Sequence, residues 1–157
     1  VPVRAMPNFR QREKRREARD AAIWEALPPG ETLPIKVRGL CEADIPCVAR
    51  LHRLRLPISY DDAFYASAIK SAPWAKVACW QGRVVGAVIC RVDDGDTIYV
   101  RTLVAAAPRR RIGTRLLEAI IAQGELQGIN KSRLNVHVDN AGAIALYKSL
   151  GYRIVHT

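Results

Sequence analysis

Three strand-length apolar runs, Lys76–Trp80, Arg83–Val92 and Thr97–Ala105, follow one another with only the turns Gln81-Gly82 and Asp93-Asp94-Gly95-Asp96 between them. The middle run is apolar almost throughout, the pattern of a strand covered on both faces. A sheet of that kind must have helices packed on it. Leu33–Leu40 reads as a further strand. Glu42–Leu54 reads as a helix, with Ile45, Val48, Ala49 and His52 at helical spacing. Leu56-Pro57-Ile58-Ser59-Tyr60 breaks it, because proline cannot continue a helix, and Asp61–Ser71 is a second, short helix.

Beyond the third run, Ile112, Leu116, Leu117, Ile120 and Ile121 mark the apolar face of a helix, with Gly128 as its stop. Arg133–Val138 reads as a strand with Leu134, Val136 and Val138 on one face and Asn135 and His137 on the other. Asn140 can cap a helix that carries Ala143, Ile144, Tyr147 and Leu150 and ends at Gly151. Tyr152–Val155 begins a last strand. The order β-α-α-β-β-β-α-β-α-β gives an α/β (α+β) fold, a mixed central sheet flanked by helices.

At 157 residues the chain is sized for one domain, since domains hold about 100–200 residues. No apolar run approaches the roughly 18 residues of a membrane span, so no membrane partner is expected. The net charge is +10, which favours an acidic partner such as nucleic acid, a ribosome or a phosphate-rich cofactor. The first twenty residues hold seven basic and three acidic side chains. Residues 9–27 have strong helix propensity and end at Pro28-Pro29-Gly30. The expected organisation is a basic helical extension and linker over 1–30 and a folded domain over 31–157. The extension reads either as a solvated helix or as an arm that docks on RNA or a protein partner.

Four cysteines, Cys41, Cys47, Cys79 and Cys90, form no CxxC pair, and only three histidines occur. No metal site is expected. The thiol pattern suits a reducing compartment, no secretory h-region follows the first basic residues, and Glu13, Glu17 and Asp20 argue against a transit peptide. The cytoplasm is the expected location, with the nucleus as a second.

The loop Pro108-Arg109-Arg110-Arg111-Ile112-Gly113-Thr114 carries the most specific chemistry. It sets three arginines and a glycine at a helix start, where backbone N–H groups and the helix dipole attract phosphate. Arginines add forked, charge-assisted hydrogen bonds. The alternative is a charged loop without a ligand.

Residues 134–152, LNVHVDNAGAIALYKSLGY, resemble the strand–helix end of the GNAT superfamily of acetyl-CoA dependent N-acetyltransferases. LPISYDDAFY (56–65), VVGAVICRVD (84–93), IYVRTL (98–103) and IGTRLL (112–117) are similar to NatE-type N-terminal acetyltransferases. The resemblance covers about residues 34–157 and implies the GNAT fold, with acetyl-CoA as cosubstrate. It implies that Arg109, Arg110, Arg111, Ile112, Gly113 and Thr114 face the coenzyme A pyrophosphate. The backbone of Leu103 and Val104 would hold the acetyl and pantetheine portion, with Asn140 and Tyr147 near the thiol and Tyr147 as acid for the leaving thiolate. Leu56, Pro57, Ile58 and Tyr60 would shape the acceptor pocket, with Arg101 beside it. Tyr99 matches a tyrosine that acts as base through water. The family's catalytic histidine aligns without gaps on Asn135, and His137, two residues on, is the candidate for the same role. The phosphate loop has Arg111 where the family usually has a glycine.

The expected function is transfer of acetyl to a protein N-terminal α-amino group, with Met followed by an apolar residue as the preferred start. Direct attack by the amine needs no covalent enzyme intermediate, so Cys79 and Cys90 are not required as nucleophiles. A lysine ε-amine is a second possible acceptor. The main rival is a catalytically weak GNAT-fold subunit of a larger N-terminal acetyltransferase complex or of a ribosome-associated assembly. A small-molecule acetyltransferase would need an acidic pocket for cationic substrates, and the motif regions hold none.

Overall fold

The computed structural model describes residues 33–56 and 59–153, and from the arm Arg12, Lys14, Arg15, Ala18, Arg19 and Ala22. Those six are helical and exposed. The rest of the expected 9–27 helix lies outside the described residues. So do 154 and 155 of the expected last strand, and Tyr152 and Arg153 are not in a strand. The elements are β1 (Lys36–Gly39), a 3₁₀ turn (Glu42–Asp44), α1 (Ile45–Arg55), α2 (Asp62–Lys70), β2 (Ala75–Trp80), β3 (Arg83–Asp93), β4 (Thr97–Ala105), α3 (Ile112–Leu126), β5 (Lys131–Leu134) and α4 (Ala141–Ser149). Side-chain caps fix two helix starts. Asp61 accepts the Phe64 N–H at 2.9 Å, and Asn140 accepts that of Ala143 at 3.1 Å.

The sheet runs β1-β2-β3-β4-β5. Its first four strands are antiparallel neighbours, while β4 and β5 are parallel. A parallel pair needs a crossover, and α3 provides it. Ile112, Leu116, Leu117 and Ile120 of α3 are fully buried against Val88, Cys90, Ile98 and Val100, and α4 packs beside them through Leu146, Tyr147 and Leu150. On the opposite face Val48 and Leu51 of α1 and Phe64 and Ala68 of α2 pack on Val77, Ala87 and Ile89. Each fully buried Leu or Ile contributes roughly 1.5–3 kcal/mol. Four on α3 therefore outweigh anything its intrinsic propensity supplies.

A β-bulge decides which face each β4 residue meets. Ile89 pairs with Thr102 but Cys90 pairs with Val100, so Arg101 is the extra residue. Ile98 and Val100, before the bulge, join the α3 cluster. Val104, after it, joins the α1/α2 cluster, and Thr102 reaches His52 of α1. Tyr99, between two α3-facing residues, lies on the α1/α2 face, and Arg101 stacks over Phe64 of α2 at 4.4 Å.

The expected strand 133–138 is corrected to Lys131–Leu134. Its apolar alternation does not reflect burial, because Val138 is 66% exposed. The pairing with β4 stops at Val100↔Leu134, where the bulge begins. The Asn140 N–H then bonds the His137 carbonyl at 2.9 Å and turns the chain into α4.

Gly86 lets α3 settle on the sheet. A Cβ there would stand 2.6 Å from Ile112 Cγ2 and 2.9 Å from the Val104 carbonyl oxygen. Gly86→Ala is expected to destabilise the fold by about 1–3 kcal/mol through overpacking, read as a lower urea midpoint at unchanged slope. His52, fully buried, contacts the Tyr65 hydroxyl at 2.7 Å and Thr102 Oγ1 at 3.0 Å, and burial pushes its pKa down to about 4. The unfolded chain takes up this proton near pH 6.5 and the folded one only near 4. Folding therefore carries no protonation penalty above about pH 6.5, and the penalty grows as the pH falls towards 4, with about 2 kcal/mol of stability lost by pH 5. Titration by NMR is expected to show no step in the His52 ring resonances between pH 8 and 5.5.

Candidate active site

β4 and β5 are paired only over Thr97–Val100 and Lys131–Leu134. Beyond that point β4 continues to Ala105 with β3 alone as neighbour. The two parallel strands part in mid-sheet, and the gap between them connects the α3/α4 face with the α1/α2 face.

On the α3/α4 side the gap is bounded by the start of α3. The loop before it has two left-handed non-glycine residues, Arg109 (φ 59°) and Arg111 (φ 62°). Such backbone persists only where its surroundings hold it. Arg55, the last residue of α1, donates to the Ala106 carbonyl, and the Ala106 N–H bonds Val85 O at 2.8 Å. Arg109 and Arg111 are exposed. Arg110, expected beside them, is instead buried, and its Nη1 donates to the Arg109 carbonyl at 3.2 Å. In the first turn of α3, Ile112, Gly113 and Thr114 have no helical carbonyl four residues earlier, so their N–H groups are available to a ligand. A Cβ on Gly113 would meet Leu146 of α4 at 3.2 Å and Leu103 of β4 at 3.8 Å. Gly113 therefore draws three elements together at this end of the gap. Tyr147 is half-buried, its ring 5.9 Å from that of Tyr152, whose hydroxyl bonds Ser132 Oγ of β5 at 2.6 Å. Burial raises the Tyr147 phenol above its usual range, so it is neutral and carries a proton.

On the α1/α2 side Tyr99 stands where the strands part. Asn135 Nδ2 donates to its hydroxyl at 3.0 Å. Arg91 and Arg133, its direct cross-strand partners, lie over its ring at 4.7 and 4.8 Å. His137 does not share this position. It is highly exposed, takes the Asp139 N–H on Nδ1 at 3.2 Å and stands 3.5 Å from the Asp139 carboxylate. The strand that would have aligned it with Asn135 has already ended. Tyr60 stacks on Phe64 at 4.1 Å, and Arg101 lies over the same Phe64 ring. Leu56 packs into the α1/α2 cluster, while Pro57 and Ile58 lie outside the described residues. Burial pushes the Cys90 thiol up to about 12, leaving it protonated.

Residues 45–152 match the acetyltransferase (GNAT) family. The chain belongs to the GNAT acetyltransferases. It is 37% identical over 129 residues to the probable N-acetyltransferase san of Drosophila melanogaster, covering 78% of this chain and 70% of that protein. It is 35% identical over 129 residues to N-alpha-acetyltransferase 50 of Danio rerio, covering 78% and 77% respectively. Among solved structures, Arabidopsis thaliana Naa50 in complex with the bisubstrate analogue CoA-Ac-MVNAL superposes with a TM-score of 0.70 at 28% identity, over 79% of this chain and 86% of that one.

For a GNAT enzyme the donor side fits a coenzyme A diphosphate by its own features. It has a helix start with available N–H groups, two exposed arginines, and a glycine where a Cβ would crowd the pocket wall. The Asn135–Tyr99 contact is legible only by aligning back from Asn140. Arg91 opposite Tyr99 follows from the Asp93–Asp96 turn, but Arg133 depends on a β4–β5 register that no sequence pattern sets. Arg55 gives no sequence signal at all.

Arg55→Met removes the donor that braces the loop at Ala106 and keeps the aliphatic stem. Calorimetry is expected to show coenzyme A binding weakened about three- to tenfold, the scale of one charge-assisted hydrogen bond in a partly exposed site.

Proposed function

We propose that this GNAT chain transfers acetyl from acetyl-CoA to the α-amino group of a protein N-terminus, preferring Met followed by an apolar residue. The observation that carries the reading is Tyr99. Its hydroxyl is held by Asn135 at the parting of β4 and β5, on the sheet face opposite Gly113 and Tyr147. The likeness to proteins named for N-terminal acetylation supports the acceptor class.

In this mechanism Arg109 and Arg111, with the N–H groups of Ile112, Gly113 and Thr114, hold the pyrophosphate. Arg110 braces the loop from within. The backbone of Leu103 and Val104 aligns the thioester, and the Leu103 N–H, which points away from β3 into the gap, stabilises the oxyanion. Leu56, Pro57, Ile58 and Tyr60 form the pocket for the first residues of the acceptor, with Arg101 at its edge. An α-amine has a pKa of about 7.7–8.0, so a useful fraction is already neutral at pH 7. Asn135 and Tyr99 orient the water that takes up the remaining proton. The amide of Asn135 is not itself a base, and Tyr99 supplies the hydroxyl in that chain. The neutral amine attacks the thioester carbonyl, its nitrogen then gives up a proton to the ordered water, the C–S bond breaks, and Tyr147 gives its proton to the departing thiolate and recovers one from solvent. Asn140 fixes α4, and hence Tyr147, by its cap.

Tyr99→Phe is expected to lower kcat for a Met-Leu peptide by about tenfold to a hundredfold, in keeping with a positioned proton-transfer group. His137→Ala should stay within twofold of the parent. A loss above tenfold in the histidine variant would move the role from Asn135 to His137. An unchanged rate in Tyr99→Phe would remove Tyr99 from the chemistry. The kcat/KM profile is expected to rise through the pKa of the amine without a limb near 6.5.

A second reading is favoured by the same Asn135. An amide in place of an acid–base group suits a slow subunit that lends a GNAT surface to an N-terminal acetyltransferase complex or a ribosome, docked through the basic residues 1–30. Turnover near the uncatalysed rate, with coenzyme A still bound, would support it.

A further inference from the structure

Three consecutive cross-strand neighbours, Arg91 of β3, Tyr99 of β4 and Arg133 of β5, form a row on the α1/α2 face. Both guanidinium groups lie on the tyrosine ring, at 4.7 and 4.8 Å. One carboxylate serves both. Asp93 accepts from Arg91 Nε at 2.8 Å and from Arg133 Nη2 at 2.6 Å. Two cations against one anion leave a net positive charge, and both arginine side chains are half-exposed or more. Among the described residues, neither arginine makes a further hydrogen bond. The two Nη groups of Arg91, and Nε and Nη1 of Arg133, therefore remain open to an incoming acceptor. Arg101 adds a third cation farther along the same face, over Phe64. On α2 the carboxylates are Asp62 in the first turn and Asp61 at the cap, and Asp61 is engaged with the Phe64 N–H.

We propose that Arg91 and Arg133 make this acceptor site selective for polypeptides with Asp or Glu in the few positions after the acetylated residue, and unfavourable to Lys or Arg there. The proposal rests on the acceptor being a polypeptide N-terminus. Its α-amine must come within one water of the Tyr99 hydroxyl. An extended peptide advances about 3.3 Å per residue, so positions two to four pass within roughly 10 Å of the phenol. That is comparable to the Debye length of about 8 Å at physiological salt. A carboxylate there can take the open side of a guanidinium fork, a geometry suited to bidentate pairing. An ammonium or guanidinium meets like charge instead.

The test uses the full chain and three peptides alike except at positions three and four: Met-Leu-Ala-Ala, Met-Leu-Glu-Glu and Met-Leu-Lys-Lys. At low salt kcat/KM for the acidic peptide should exceed that for the basic one about tenfold, and the ratio should shrink as NaCl rises. Arg133→Gln and Arg91→Gln should each cut the ratio to about threefold or less. Arg133→Lys, which keeps the charge, should retain most of it. Equal turnover of the acidic and basic peptides overturns the selectivity while the Met-Leu-Ala-Ala rate upholds N-terminal acetylation. A ratio that persists in both glutamine variants also overturns it. Failure to acetylate any of the three overturns the acceptor class, and the selectivity with it.

Discussion

The extra residue at Arg101 is the constraint on which the site depends. A bulge adds one residue to one strand, and the pleat beyond it is inverted relative to its neighbour. In this chain the inversion does three things at once. It moves Thr102 and Val104 from the α3 face to the α1 face. It ends the pairing of β4 with β5 at Val100. It also leaves Arg101 directed at the α2 aromatic cluster. Without it β4 would run on beside β5, and the gap between Tyr99 and Gly113 would be closed by ladder hydrogen bonds.

The helices hold the bulge in place from both sides. His52 is hydrogen-bonded to the Thr102 hydroxyl on the α1 face. On the other face Leu103 sits against the α3 cluster close to Gly113. Arg55 ties the end of α1 to the loop that starts α3. The α1/α2 helices and the loop before α3 are thus joined through the last residues of β4, a short path through packed side chains and hydrogen bonds.

Much of this was legible from periodicity. The three central strands, the α3 face from Ile112 to Ile120 and the Asn140 cap follow from spacing, because burial on a sheet imposes it. The shape of the site was less legible, because it depends on departures from spacing. Alternation in 133–138 looked strand-like, yet a strand needs a partner backbone, and the bulge had already taken β4 away. The sequence pattern extends the first strand over 33–40, but Pro34 offers no donor, and pairing is confined to Lys36–Gly39. The three loop arginines read alike in sequence, and only packing separates the buried Arg110 from its exposed neighbours. The family resemblance aligned Asn135 with the catalytic position, and its contact with Tyr99 is a matter of geometry that residue type alone does not give.

The parted strands give the domain two mouths that open on opposite faces of one sheet. In the proposed reaction a nucleotide-bearing donor stays seated at the α3 end while the acceptor enters from the α1 side, so the part of the acceptor that does not react never has to pass the donor. Each partner can also leave by its own route. With both reactants seated at once, the transferred group passes directly between them and no covalent relay on the protein is needed.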